Sequence, residues 1–354
     1  MKKIYKSSII MLLCVVSFFG CAKNNNSFKT ESSNSPIPST PTVSASPEPV
    51  KAGTDIAHID GISEDFIYGV DISDIKSKYD NGKRYFDFDG NELFYAPDKG
   101  QKGFCTFLKE CGIDWVQIHT GYNLDELEIV KEIGKIATDA GLRVLIDLYY
   151  QAEEEWQDMN IEEKTGTFEE YTVEVLTELI EYGVDIGMVR IDNKSVEEFA
   201  SEIDFENICM LINGGCSAVR YVADTMEKKM PVVLHFANMP LSIYGVIAKT
   251  LEENQVDYDV FSISYTYSDK IVQNITDSMA KIINEYGKKV ILTEERMNVY
   301  TLKGKKAIKK RVNAVTDMIQ SVVNMGEDGI GVFCAPTLFN HKGIPLESAI
   351  VVFL

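Results

Sequence analysis

From Phe66 onward, short apolar runs alternate with longer stretches whose apolar positions recur every three or four residues. The runs predict strands over Phe66–Asp71, Trp115–His119, Arg143–Tyr149, Gly187–Ile191, Val232–Phe236, Val260–Tyr265, Val290–Glu294 and Gly329–Phe333. In the stretch Leu124–Ala140, Leu127, Val130, Ile133, Ile136 and Ala137 share one helical face, and Gly141 is a favoured stop. Further helices are predicted near Gly100–Cys111, Phe168–Tyr182, Phe205–Lys228 and Lys305–Met325, and Asp87-Phe88-Asp89-Gly90 marks a loop. Near-continuously apolar strands belong to a parallel sheet covered on both faces by helices. Eight β-then-α units close a barrel, so the expected class is α/β, a (β/α)8 TIM barrel. An open doubly wound sheet is the alternative, but no glycine-rich phosphate loop follows the first strand.

Ahead of Phe66 the pattern is different. Lys2, Lys3 and Lys6 precede an apolar run from Ile9 to Phe19, and Gly20-Cys21 follows. That run is too short for a comfortable membrane span and has the form of a lipoprotein-type signal peptide over residues 1–21. Cys21 is then the lipidation site, which places the mature chain on the bacterial cell surface, held to the membrane by a lipid anchor only. Secretion after a cut at Ala22 is the alternative. Residues 22–62 are rich in Asn, Ser, Thr and Pro and form a disordered linker, which holds the barrel, 63–354, away from its anchor.

Composition narrows the partners. The formal net charge is −19. With no basic patch to offset it, nucleic acid is excluded as a partner; the basic run Lys303–Arg311 is read as one flank of a helix. Cys105, Cys111, Cys209, Cys216 and Cys334 lack metal-ligand spacing and read as small buried apolar residues. Cys209 and Cys216 are the pair to check for a disulfide.

Candidate chemistry stands at two strand ends. Gly187–Ile191 runs into Asp192-Asn193-Lys194, and Val290–Leu292 into Thr293-Glu294-Glu295-Arg296. In a parallel barrel both ends open on the C-terminal face, where such folds act.

At these ends the sequence resembles the endo-β-1,4-galactanases, retaining glycoside hydrolases of arabinogalactan side chains. Matching segments include Gly69-Val70-Asp71-Ile72-Ser73, Phe86–Gly90, Val144–Asp147, Ala218-Val219-Arg220, His235-Phe236-Ala237, Ser264-Tyr265, Val290–Glu294 and Leu338-Phe339 with Gly343–Leu346. The resemblance implies a (β/α)8 barrel, no cofactor, a galactan or related plant polysaccharide as ligand, and a monomer; the extended loop that follows the last strand in many relatives is trimmed here, so its calcium site is not expected and no metal is assigned. It places the nucleophile at Glu294 and the acid/base at Lys194, where relatives carry glutamate after the asparagine matched by Asn193. It implies substrate-binding roles for Asp71, His119, Tyr149, Asn193, His235 and Tyr265. Relatives carry arginines at the positions of Gln117 and His119, which orient the nucleophile; neither replacement is expected to supply a fixed charged donor. Tyr149 replaces a histidine, and Cys334-Ala335-Pro336 replaces a Trp-Glu-Pro stretch.

Retaining glycosidases need two carboxyl groups about 5–5.5 Å apart. An ammonium group at Lys194 is a poor general base at its ordinary pKa, and pairing with Glu294 would hold both groups ionised. Two functions follow: a galactanase-type hydrolase impaired in catalysis, or an inactive surface lipoprotein that binds carbohydrate or protein. In a third, Asp192 or Glu153, Glu154 and Glu155 take over as acid.

Overall fold

In this computed structural model, residues 59, 61–120, 124–148, 159–192, 205–237, 240–265, 271–294, 305–334, 339 and 342–343 are described. Eight parallel strands close into a barrel, each pairing with the next around the ring. They are β1 (Ile67–Asp71), β5 (Trp115–Thr120), β6 (Arg143–Leu148), β7 (Ile186–Asp192), β8 (Val232–Ala237), β9 (Val260–Tyr265), β10 (Lys289–Glu294) and β11 (Gly329–Cys334). β5 meets β1 through Asp71 and Gln117, and β11 meets it on the other side through Val70 and Cys334. All eight predicted strands are therefore present, within one or two residues at their ends. The numbering gap holds a small three-stranded sheet, β2 (Tyr85–Phe86), β3 (Glu92–Phe94) and β4 (Lys102–Gly103). The loop expected at Asp87–Gly90 is the turn of its β2–β3 hairpin. There the Asp87 carboxylate accepts from the amides of Asp89 and Asn91 at 3.0 and 2.8 Å.

Each barrel strand is apolar on both faces for two different reasons. Val116, Ile118, Val144, Ile146, Val189, Leu234, Ile263 and Leu292 face the surrounding helices in the larger core. Ile67, Trp115, Leu145, Met188, Val233, Val260, Ile291 and Phe333 form a second core inside the barrel. The interior is packed, not hollow. Large rings fit because glycine faces them: a Cβ on Gly187 would stand 2.3 Å from the Trp115 ring, and one on Gly69 would stand 2.2 Å from Phe333.

The helices are α1 (Ile75–Asp80), α2 (Phe104–Glu110), α3 (Leu124–Asp139), α4 (Ile161–Tyr182), α5 (Phe205–Thr225), α6 (Leu241–Glu253), α7 (Ile271–Tyr286) and α8 (Lys305–Val323). α4 starts seven residues before the predicted Phe168, because its first two turns are largely polar. A capping box starts it: Asn160 accepts from the Glu163 amide, Glu163 accepts from the Asn160 amide, and Gly183 ends the helix at φ 94°. Cys209 and Cys216, both on α5, are separate free thiols, as are Cys105 and Cys111. Burial pushes the Cys209 thiol up to about 11 and that of Cys216 to about 12, so neither is poised as a nucleophile. No helix among the described residues is long and apolar enough to cross a membrane.

Candidate active site

Two residues beyond the interior apolar layer, the strands change character. Trp115 is followed by Gln117, Leu145 by Asp147, Met188 by Arg190, Val233 by His235, Val260 by Ser262 and Ile291 by Thr293. Period-two geometry keeps each polar residue on the face of its apolar predecessor. The barrel interior therefore turns from oily to polar toward the C-terminal ends of the strands.

This layer forms two connected groups. On the β8–β10 side, His235 Nδ1 lies 3.0 Å from Ser262 Oγ, which lies 3.4 Å from Thr293 Oγ1. His235 is 4% exposed, so it belongs to the floor of the mouth and not to its rim. Burial, reinforced by the Arg190 charge, holds its imidazole well below the usual histidine range, and the ring is neutral.

On the other side stand Asp71, Gln117, His119, Asp147 and Arg190. Asp147 is 2% exposed, and its Oδ2 accepts from three neighbours. Arg190 Nη2 donates to it in a short contact, His119 Nδ1 lies at 2.7 Å, and Gln117 Nε2 lies at 3.4 Å. Arg190 Nη1 also donates to Gln117 Oε1 at 3.0 Å. Asp71 Oδ2 lies 3.5 Å from His119 Nε2, while Asp71 Oδ1 accepts from the Ser73 hydroxyl at 2.6 Å and the Ser73 amide at 2.9 Å. Ser73 Oγ in turn accepts from the His119 amide at 2.9 Å.

Charge decides the protonation states. Burial alone would raise Asp147, but the charges of Arg190 and His119 outweigh it and hold the carboxyl well below its usual range. Asp71 is likewise lowered, against its burial, by its hydrogen bond and charge contact with His119 and its bonds from Ser73. Burial would depress His119, yet Asp147 first and Asp71 second push it up to about 10. Its side chain is 43% exposed, with both ring nitrogens turned to the carboxylates.

A pH dependence of stability follows. His119 binds its proton more tightly when folded, so the stabilisation is complete below the unfolded pKa of about 6.5. It is lost as pH rises through about 10. For Asp71 and Asp147, lowered on folding, it is complete above about 3.9 and lost as pH falls. Urea unfolding midpoints should therefore plateau between about pH 4 and 6.5 and decline on both sides. An unchanged midpoint across the alkaline arm would show that His119 gains no proton affinity on folding.

Of the residues singled out from sequence, Asp71, His119 and His235 are gathered in this mouth. Tyr149, Asn193 and Lys194 lie outside the described residues, as do Cys21, Glu153, Glu154, Glu155 and the side chains of Asp192, Tyr265 and Glu294. The backbone places Asp192 last on β7, opposite His235, and Glu294 last on β10, opposite Tyr265. β8 and β9 separate the two strands, and both open on the same face. The sequence reading passed over Asp147 and Arg190, which hold the cluster together. Their signal was a charged residue inside an otherwise apolar strand, two positions after an interior apolar one. At position 119 the histidine lies between two carboxylates that raise its proton affinity, and the Arg190 guanidinium bonds to Gln117 from across the barrel.

Eight parallel strands closed into a barrel, with carboxylates, an arginine and histidines gathered at one mouth, define the class of (β/α)8 barrels whose chemistry sits at the C-terminal face. The chain belongs to glycosyl hydrolase family 53, the endo-β-1,4-galactanases, as a divergent member; the family model matches residues 67–335. It is 31% identical over 318 residues to an endo-β-1,4-galactanase of Bacillus subtilis (strain 168), covering 78% of this chain and 71% of the relative. The fold is similar to the family 53 catalytic domain of Ignisphaera aggregans, with TM-score 0.67 and 19% identity, over 84% of this chain and 98% of that one. A fungal β-1,4-galactanase structure matches with TM-score 0.70 and 16% identity, over 80% and 98% of the two chains.

Proposed function

We propose that this protein is a surface-tethered galactanase-type barrel that binds β-1,4-galactan or a related plant polysaccharide, with hydrolysis impaired at the acid/base position. The observation that carries it is the sequence Asn193-Lys194 immediately past the end of β7, where the family resemblance calls for asparagine then glutamate. Glu294, at the end of β10, keeps the nucleophile position. Retention requires the second group to protonate the leaving oxygen and then to activate water. An ammonium group beside a carboxylate does neither well at neutral pH, because the opposite charge favours keeping its proton. Loss of acid–base assistance alone costs about 10²–10⁴ in rate.

The ligand class comes from the family and from the Bacillus subtilis relative, which is named an endo-β-1,4-galactanase. The tether comes from the signal segment ending at Cys21 and the spacer that follows it. The chain without its signal segment and anchor cysteine, residues 22–354, is expected to retain galactan in affinity electrophoresis while releasing few reducing ends from it. Turnover at the rate of an intact galactanase would overturn the impairment and point to Asp192 or the Glu153–Glu155 run as acid. Absence of both binding and turnover would leave a protein as the partner.

A further inference from the structure

The cluster around Asp147 is costlier than packing requires. A buried carboxylate and guanidinium lose their hydration, and apolar side chains of similar volume would fill an interior layer at least as stably. Asp147 also uses its oxygens unequally. Oδ2 meets Arg190, His119 and Gln117, whereas Oδ1 is buried with no hydrogen-bond partner among the described residues. The three contacts gather on one oxygen, and that oxygen meets the ring of His119, the half-exposed member of the group.

Two charge states of that ring compete. Gln117 Nε2 lies 2.9 Å from His119 Nε2, which suits a neutral ring accepting there and carrying its proton on Nδ1. Charge balance favours the other state. With His119 neutral, Asp71 and Asp147 face Arg190 alone, leaving a net negative charge against the buried Asp147; with His119 protonated the four charges cancel. Nδ1–H then donates to Asp147, Nε2–H turns to Asp71, and the Gln117 amide hydrogen is directed to Asp147 Oδ2.

We infer that Asp147 is a positioning residue of the ligand site: braced by Arg190, it fixes His119 as an imidazolium whose exposed edge forms the β5 wall of the sugar-binding mouth. All the charged and titratable groups described around that ring take part: Asp71 from β1, Asp147 from β6, Arg190 from β7 and neutral His235 from β8. For its ligand the inference rests on the galactan reading above. The charge state of His119 stands apart from it.

The test has two arms on residues 22–354. In the first, ¹⁵N NMR of the histidine ring nitrogens follows His119 against pH. The wild type should show an imidazolium through neutral pH, titrating near the value of about 10 given by its two carboxylates. In Asp147→Asn the titration should fall by more than one unit, toward the ordinary value of about 6.5. Asp71→Asn, a change at a more exposed site, should lower it by less, and it carries the test if Asp147→Asn does not fold. In the second arm, galactan affinity is measured against pH. The wild type should bind evenly across neutral pH, whereas Asp147→Asn should bind about tenfold more weakly above its lowered titration point and recover below it. A wild-type His119 that is neutral at neutral pH, or an Asp147→Asn binding profile with unchanged pH dependence, would overturn the inference. If galactan does not bind at all, the ligand reading fails and the NMR arm still decides the charge state.

Discussion

Replacing Lys194 by glutamate is expected to raise galactan hydrolysis by about 10²–10⁴ over the parent chain. The change restores a carboxyl group where the resemblance places the acid/base and removes a cation beside the nucleophile position. The rest of the mouth is suited to accept it. Arg190 supplies positive charge near the floor, and the half-buried Asp71 and buried Asp147 carboxylates already have partners. The release of reducing ends from galactan measures the gain, and Glu294→Gln in the same background should remove it. A Lys194→Glu chain with no gain over the parent would mean that the block to catalysis lies elsewhere in the mouth.

The second large effect concerns stability. Asp147→Asn keeps the shape of the side chain but leaves Arg190 and His119 facing one another without the carboxylate between them. Breaking a buried pair on one side costs about 3–5 kcal/mol. For a domain of this size that is a fall in melting temperature of order 10 °C. Asp71→Asn should cost about 1 kcal/mol or less, because its contact with His119 is longer and partly solvated. Changing both buried partners, Asp147→Leu with Arg190→Met, should recover most of the lost stability, since neither charge is then stranded. Scanning calorimetry of the four chains separates these outcomes. An Asp147→Asn chain that melts with the wild type would show that the buried pair contributes nothing to the fold.

The strands were legible because a parallel sheet covered on both sides demands apolar residues on both faces, and the count of eight without a glycine-rich loop after the first pointed to a closed barrel over an open doubly wound sheet. α3 was legible from its apolar stripe and the glycine after it. The start of α4 was not, because Glu162, Glu163, Lys164 and Thr165 carry little of the apolar signal, and only the Asn160–Glu163 box marks the boundary. The two-residue and three-residue strands of the small sheet were missed for a related reason. So short a run shows no period, and only the hairpin turn at Asp87 announced them.

The site divides along the same line. Asp71, Tyr265 and Glu294 end their strands, His119 and His235 lie one or two residues before an end, and Asn193 and Lys194 follow β7 in sequence, so a chain read in one dimension points to them. Asp147 and Arg190 lie one step inside, and their partners are distant in sequence: Arg190 reaches Gln117 across 73 positions and Asp147 across 43. By itself the sequence determined the barrel and the face on which its strands end, because periodicity and residue type are local properties. Only the tertiary structure decided that His119 stands between two carboxylates and that His235 is a buried floor residue. Protonation depends on burial and on charges brought from other strands, and those distances exist only once the barrel has closed.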